Sequence, residues 1–247
     1  MQEKRKRNLT RSLSVIIFAL LLCLSAFIPK NIFSAPATFS LGLQNMIAIL
    51  AGTILGGLQG AGAVGLFVIA GVLGLPVFPS NLSGLEAFSS PEGGYIWGYF
   101  ISSLLGGMIL GSPHLFEKDF SLKQWIKIAI TSLLCFAVIY IPGILCFRHS
   151  VMENTFPEKT EALYKTYSLL EKGQTGKWLL NQTLFPFISS DVIKWIISIP
   201  ITAIFRPLAA RLLYPSDEKE EEAIFENLKK KKEFFDKLTK SKKKGGK

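Results

Sequence analysis

The stretch FPFISSDVIKWIISIPITAIF, residues Phe185 to Phe205, decides the fold of this chain. It offers about the 20 mostly apolar residues that a membrane-spanning helix needs, yet it contains Asp191 and Lys194. A charge at the centre of a bilayer costs at least about 2.5 kcal/mol, so such charges usually pair, face a cavity or carry a function. Residues three positions apart lie on one face of a helix. The pair is therefore predicted either to face one cavity or to form an ion pair that locks this helix in place.

Further apolar blocks precede this stretch, and none of them contains a charged residue: Leu13–Ile28, Leu41–Ser83, Gly93–Ser112 and Ile128–Phe147. The second block is too long for one helix, and Gly56-Gly57 near its middle predicts two helices joined by a tight turn. A signal peptide is the alternative for the first block, but it would release a mainly soluble chain, whereas more apolar blocks follow here. Apolar residues form 49% of the 247 residues. The sequence therefore predicts an all-α integral membrane protein with six transmembrane helices.

Lysine and arginine set the predicted orientation, because positive flanks stay on the cytoplasmic side. Basic residues cluster before the first span, between the fourth and fifth spans, and after the sixth, where Arg206 and Arg211 lie. Both termini are therefore predicted to be cytoplasmic. The predicted organisation is a basic N-terminus over residues 1–11, a six-helix membrane domain over 12–211 with an external insertion at about 148–177, and a charged tail over 212–247.

The formal net charge of +10 is assigned to membrane orientation and contact with lipid, not to nucleic acid, because the basic residues gather at the membrane flanks and in the tail. The tail changes from acidic to basic along its length. It is predicted to be either an amphipathic helix on anionic lipid or on a partner, or a solvated charged tail. The insertion is expected to form a short amphipathic helix around Thr160 to Leu170 that shields a pocket.

Glycines recur along the predicted second and third spans, at Gly52, Gly56, Gly57, Gly60, Gly62, Gly65, Gly71 and Gly74. Small residues allow membrane helices to approach closely, and packing drives their association. The glycines therefore indicate close helix packing. A backbone that lies against a flat ligand is the alternative.

The segment between the third and fourth spans, from Gly71 to Gly98, combines prolines, a Gly93-Gly94 pair and aromatic residues. The prolines are predicted to end the third span, and the glycine pair permits an unusual backbone before the fourth. Phe78 and Tyr95 supply aromatic faces and Asn81 supplies a polar group. The segment suits either an aromatic belt at the membrane interface or an apolar pocket with a few fixed polar groups.

Cysteine and histidine give no sign of a metal centre. Cys23, Cys135 and Cys146 fall in predicted spans, and His114 and His149 lie at opposite predicted membrane faces. No spacing matches a zinc site, so no metal, cofactor or catalytic residue is predicted. The chain also lacks the phosphate-binding pattern Gly-x-x-x-x-Gly-Lys-Ser/Thr, so it is not expected to hydrolyse ATP by itself.

Four motifs, in order along the chain, resemble the BioY family: Leu43-Gln44 with Ala51-Gly52, Gly71-x-x-Gly-Leu-Pro-Val-Phe78, Gly93-Gly94-Tyr95-x-x-Gly98, and Pro186-Phe187-Ile-x-x-Asp191-x-x-Lys194. BioY proteins are the biotin-binding S components of energy-coupling factor (ECF) transporters. The resemblance implies a six-helix protein of the bacterial cytoplasmic membrane that captures biotin near the external face. It also implies partners, namely a transmembrane coupling subunit and two ATP-binding-cassette ATPases, which alone use ATP.

The resemblance further implies a set of substrate-binding residues: Asp191, Lys194, Asn81, Tyr95, Phe78, Gly93, Gly94 and Gln44. Biotin has a cyclic urea with two N–H donors and one acceptor, an apolar sulfur ring and a carboxylate. Asp191 could accept from the urea, Asn81 could donate and accept, and Lys194 could bond the urea oxygen or balance Asp191 or the carboxylate. Phe78 and Tyr95 would pack against the rings of biotin. Whether Lys194 meets the ligand or holds Asp191 stays open at this point.

Two features depart from the family pattern. Ser189-Ser190 stands where members usually have Pro-Gly, so the local turn could differ. The resemblance also implies that a face of small residues on the first span docks on the coupling subunit. In this chain the small residues of that face are Ala19, Cys23 and Ala26. Two other interpretations remain: an S component for a different vitamin, and an intramembrane enzyme or scaffold without a small ligand.

Overall fold

A computed structural model describes residues 2–28, 42–113, 121–155, 157–170, 173–213, 226 and 229–230. Contacts divide the chain into two units, 1–213 and 214–247. The predictions for the tail, and for His114 in the loop before the fifth span, concern residues that lie almost entirely outside the described part of the chain.

The first unit is helical, and its described residues include no β-strand. Its α-helices are α1 (Gln2–Ser25), α2 (Gln44–Leu55), α3 (Gly57–Val72), α4 (Gly93–Leu110), α5 (Leu122–Met152), α6 (Pro157–Ser168), α7 (Thr175–Thr183) and α8 (Phe185–Leu213). Two short 3₁₀ helices, Pro79–Asn81 and Leu85–Ser89, lie between α3 and α4.

Within the described residues, four helices are long and apolar enough to cross a membrane, namely the segment Arg5–Ser25 of α1, α4, α5 and α8. The predicted long block does form two helices, and Gly56 separates them with a φ of 94° that favours glycine. These two helices are shorter than predicted. At about 1.5 Å per residue, the 12 residues of α2 extend only about 18 Å, against a hydrocarbon core of about 30 Å.

Close helix packing accounts for several of the glycines. A Cβ atom on Gly52 would collide with the backbone oxygen of Ser103 on α4, and one on Gly107 would collide with the backbone of Gly57. The helices α2, α3 and α4 therefore approach at the distance that only a hydrogen side chain allows, as the packing interpretation predicted. Gly62 differs, because its nearest atom is Cγ1 of Val15 at 3.8 Å.

The predicted insertion forms two helices. α5 continues to Met152, α6 covers most of the helix predicted around residues 160–170, and α7 was not predicted. α7 packs on α5 and α8. Its Trp178 stacks at a tilt on Phe147 of α5 and on Tyr167, with ring centroids 6.3 and 5.6 Å apart. The insertion is therefore held to α5 and to α8, and α8 is the helix that carries the buried Asp191 and Lys194.

One face of α8 is buried and polar along most of the helix: Asp191, Lys194, Ser198, Thr202 and Arg206. These residues recur every three or four positions, which is the spacing of a single helical face. The opposite face is exposed and apolar, with Ile196 and Ile204 as examples. Ser189 and Ser190 are helical, so replacing the family's usual Pro-Gly produces no separate turn here.

Candidate ligand-binding site

Asp191 and Lys194 form a buried ion pair. Nζ of Lys194 lies 2.8 Å from Oδ1 of Asp191, and the two residues are 6% and 1% exposed. Both come from the inner face of α8, as the three-residue spacing predicted. Charges this deeply buried need their remaining bonding positions filled, because an unpaired buried charge is costly.

Two residues that the sequence analysis did not single out fill those positions. Asn45 donates from Nδ2 to Oδ1 of Asp191 at 2.9 Å, and Tyr140 donates from Oη to Oδ2 at 2.5 Å. Lys194 also donates to Oδ1 of Asn45 at 3.4 Å. We call Asp191, Lys194, Asn45 and Tyr140 the charge cluster. It joins α2, α5 and α8, which are distant in sequence.

The start of α2 favours negative charge in the cluster. Asn45 lies in the first turn of α2, where the backbone N–H groups give the helix end a partial positive charge. Oδ1 of Asn45 accepts one of them, the N–H of Met46, at 2.8 Å. The helix end, the amide and the ammonium thus act together on the carboxylate of Asp191.

Tyr95 connects the cluster to α7. Its ring meets that of Tyr140 edge to face with centroids 6.2 Å apart, and its Oη donates to the carbonyl oxygen of Thr183 at 3.1 Å. Thr183 is the last residue of α7. The predicted site residue Tyr95 therefore adjoins the charge cluster and touches the insertion.

Gln44 and Phe78 brace the segment between α3 and α4. Nε2 of Gln44 donates to the carbonyl oxygen of Val77 at 2.6 Å. The buried ring of Phe78 lies on Gly71, where it occupies the space that a Cβ atom would need. It also meets Phe67 edge to face at 5.5 Å. Gln44 directly precedes Asn45, so the same helix start holds this segment and the charge cluster.

Gly93 and Gly94 are required by packing. A Cβ atom on Gly94 would collide with the carbonyl oxygen of Pro142 on α5, and one on Gly93 would collide with that of Phe88. Asn81 is exposed, with a positive φ of 57°. No hydrogen bond among the described residues joins Asn81 to the charge cluster. The predicted residues thus fall into a buried group around Asp191 and a loop group around Asn81.

Arg206 is a second buried cation, although the sequence analysis assigned it to a cytoplasmic flank. Its Nη1 donates to the carbonyl oxygen of Thr53 at the end of α2 at 2.5 Å. Its Nη2 donates to those of Leu110, Gly111 and Ser112 at 2.9, 2.9 and 3.2 Å. The guanidinium therefore satisfies carbonyl groups that have no partner inside a helix and opposes the negative end of α4.

The three small residues predicted for docking, Ala19, Cys23 and Ala26, face the other helices of the bundle. Ala19 and Ala26 are buried, and Cys23 is partly buried against the core. α1 packs on α3 and α2 through this face. The outward face of α1 consists of larger apolar side chains, among them Leu20 and Leu24.

The charge cluster combines a carboxylate acceptor, an ammonium donor, a carboxamide and a phenol beside aromatic rings. Such a set can exchange hydrogen bonds with a neutral polar ring that has both donors and an acceptor. An apolar pocket with a few fixed polar groups is the usual form of a small-molecule site.

The fold and the site together define a multi-pass, all-helical membrane protein with a buried polar centre. The crystal structure of the S-component for biotin from an ECF-type ABC transporter has the same fold, with a TM-score of 0.58 and 22% identity, over 81% of this chain and 92% of that one. The BioY family model matches residues 1–211. The chain belongs to the BioY family.

Individual relatives agree with that assignment. The biotin transporter BioY of Thermotoga maritima is 30% identical over 135 residues, which cover 55% of this chain and 72% of the relative. The biotin transporter BioY of Rhodobacter capsulatus is 27% identical over 196 residues, or 78% of this chain and 90% of the relative.

Proposed function

We infer that this chain captures biotin and takes it up across the membrane as the substrate-binding S component of an ECF-type transporter. The observation that carries the inference is the charge cluster, in which Asp191 on α8 is held by Asn45, Tyr140 and Lys194 inside a BioY-family fold. Relatives named as biotin transporters and the shared S-component fold support it.

Biotin matches the cluster group by group. Each urea N–H needs an acceptor, and an ionised carboxylate offers about four lone-pair positions on two oxygens. The carboxylate of Asp191 already accepts three hydrogen bonds, from Asn45, Tyr140 and Lys194. One urea N–H can therefore donate to the remaining lone pair. The second urea N–H can donate in place of Tyr140 or Asn45. The residue that is displaced from Asp191 can then donate its hydrogen bond to the urea oxygen. The ureido ring is the part of biotin that we assign to this cluster.

The proposed site has eight residues from the family resemblance, Asp191, Lys194, Asn81, Tyr95, Phe78, Gly93, Gly94 and Gln44, and two from the geometry, Asn45 and Tyr140. Lys194 is a positioning residue in this proposal, because its ammonium lies 2.8 Å from Asp191 and fixes the orientation of the carboxylate. Phe78 and Gln44 hold the loop that presents Asn81. The two glycines set the approach of α4 to α5.

Ligand entry is proposed to involve α7. The cluster is almost fully buried, so biotin reaches it only if a covering element moves. α7 is attached to the site by the Tyr95–Thr183 hydrogen bond and by packing of Trp178. Release of these contacts would open the site on the side of the insertion.

We propose six spans with both termini in the cytoplasm of a bacterial cell, and the organisation 1–11, 12–211 and 212–247 predicted above. α2 and α3 would form the second and third spans as a short helical pair. Both helices are apolar. α2 is too short to cross the bilayer alone, but α2 and α3 pack closely on α4. This packing would shield from lipid the backbone near the ends of α2.

The partners proposed from family membership are a transmembrane coupling subunit and two ATP-binding-cassette ATPases, with no cofactor on this chain. The chain would bind and release biotin without an enzymatic step, and ATP would be consumed by the ATPases. Because the small residues of α1 are directed inward, we assign docking to its outward apolar face, around Leu20 and Leu24.

The test is uptake of radiolabelled biotin by a biotin-auxotrophic bacterium that lacks its own biotin importer. Cells that express this chain with its coupling subunit and ATPases are expected to accumulate biotin, and the chain is expected to co-purify with both ATPases. Cells that express Asp191→Asn at an equal level are expected to show background uptake.

Riboflavin and thiamine serve as competitors in the same assay. Uptake of either vitamin in place of biotin would contradict the assigned substrate. Normal biotin uptake by Asp191→Asn would leave the substrate in place and contradict the proposed site.

A further inference from the structure

A cavity of about 240 Å³ lies at the end of α4 and the start of α5. It is about eight times the volume of roughly 30 Å³ that one water molecule occupies in the liquid, so it has room for a group of several atoms. Three basic residues line it, Lys123 and Lys127 of α5 and Arg206 of α8. Ser121 and Gln124 add polar groups. It shares no residue with the charge cluster.

The described residues that line the cavity carry an excess of positive charge. The described residues that line it include no acidic side chain. Arg206 is held in place by the carbonyl oxygens at the end of α4, so its charge stays next to the cavity. Lys123 and Lys127 are exposed and four residues apart, hence on one face of α5. Three like charges around one space repel one another, and a bound anion relieves that repulsion.

The surroundings of the cavity are apolar on the side of the membrane. Leu122 and Ile126 directly precede the two lysines and are 76% and 50% exposed. Ile128 lines the cavity itself. An anionic headgroup near the lysines could therefore continue into acyl chains along the apolar face of α5. Basic pockets between membrane helices are known to hold anionic lipid headgroups.

We propose that this cavity binds the phosphate group of an anionic phospholipid, with Lys123 and Lys127 as the exchangeable donors and Arg206 as the fixed charge. A soluble phosphate shares the headgroup chemistry but lacks acyl chains. The apolar face of α5 favours the lipid.

The experiment uses native mass spectrometry of the full chain in detergent, titrated with phosphatidylglycerol, with phosphatidylcholine of the same acyl chains, and with inorganic phosphate. The variant is Lys123→Gln/Lys127→Gln. The matched control is Arg5→Gln/Lys6→Gln, which removes two exposed basic residues outside the cavity and outside the proposed biotin site. Biotin binding by all three proteins shows that they are folded, and it is expected to be unchanged.

We expect the Kd for phosphatidylglycerol to rise about 30-fold in the variant, which corresponds to about 1 kcal/mol per lysine near an anionic lipid. The control is expected to stay within about twofold of the wild type, and phosphatidylcholine to bind at least about tenfold more weakly. A second variant, Lys123→Arg/Lys127→Arg, is expected to retain phosphatidylglycerol.

Three results would overturn the proposal. The first is equal phosphatidylglycerol affinity in the wild type and the glutamine variant. The second is an equal loss in the variant and the control, which would indicate general attraction to charge. The third is displacement of the lipid by inorganic phosphate at similar concentration, which would assign the cavity to a soluble anion.

Discussion

Replacing the two buried charges singly and together measures how strongly they depend on each other. The variants are Asp191→Asn, Lys194→Met and the double variant. In the wild type the carboxylate of Asp191 accepts from Lys194 at 2.8 Å, from Asn45 at 2.9 Å and from Tyr140 at 2.5 Å. Each single variant leaves one buried charge without its opposite, whereas the double variant leaves neither.

The expected magnitudes follow from burial. Removing one partner of a buried ion pair typically costs about 3 to 5 kcal/mol, whereas removing both together is often close to neutral. The pair here is almost fully buried, so these values apply without a discount for solvent. We therefore expect each single variant to lose about 3 to 5 kcal/mol of unfolding free energy. The double variant is expected to lose less than either single variant.

The assay is equilibrium unfolding in mixed detergent micelles, followed by tryptophan fluorescence. The ion pair between Glu161 and Lys165 on α6 provides the matched control. Both of its side chains are mostly exposed, although the hydrogen bond from Lys165 lowers the pKa of Glu161. Its double-mutant cycle is expected to show near-additive effects, because solvent screens an exposed pair. Additive losses at Asp191 and Lys194 would refute the coupling that we infer from their geometry.

Two further substitutions test the packing and bonding around the cluster. Tyr140→Phe removes one hydrogen-bond donor to Asp191. Because hydrogen bonds to charged groups contribute about 1.5 to 3 kcal/mol, we expect the unfolding free energy to fall by that amount in the same assay. An unchanged unfolding free energy would contradict this hydrogen bond. Gly94→Ala places a Cβ atom against Pro142 and is expected to cost about 1 to 3 kcal/mol through overpacking. Gly62→Ala serves as control, because its Cβ atom would make only an ordinary contact with Cγ1 of Val15 at 3.8 Å. Equal thermal stability of the two alanine variants would contradict the close approach of α4 to α5.

The helical fold could be predicted because apolar blocks of sufficient length have few alternatives in a bilayer. Leu41–Ser83 was correctly divided at Gly56, where the backbone has a positive φ. The lengths were less predictable. α5 extends into charged and polar sequence as far as Met152, and the end of a membrane helix depends on packing as well as on hydropathy. α7 has few apolar residues and forms by packing on α5 and α8.

Half of the charge cluster could be predicted. Asp191 and Lys194 were identifiable because charges in an apolar stretch are costly. Asn45 and Tyr140 carry no charge and lie in blocks read as plain spans, so only the fold reveals that they meet Asp191. The positive-inside rule places Arg206 in a flank, because the rule uses only the position of a basic residue in the sequence. The rule cannot predict that Arg206 donates to carbonyl groups at the end of α4.

The orientation of α1 was also beyond the sequence. A face of small residues suits docking on a partner and packing within the bundle equally well. Ala19 and Ala26 are buried in the bundle, which directs larger apolar residues outward. Docking of this outward face on a coupling subunit stays a prediction.

Calorimetric titration of biotin into the purified chain tests the central claim most directly. The wild type is expected to bind one biotin per chain with a saturable heat signal. The Asp191→Asn/Lys194→Met double variant is expected to remain folded and to give no binding signal. Absence of biotin binding by the wild type, or equal affinity in the folded double variant, would contradict the assignment of biotin to the charge cluster.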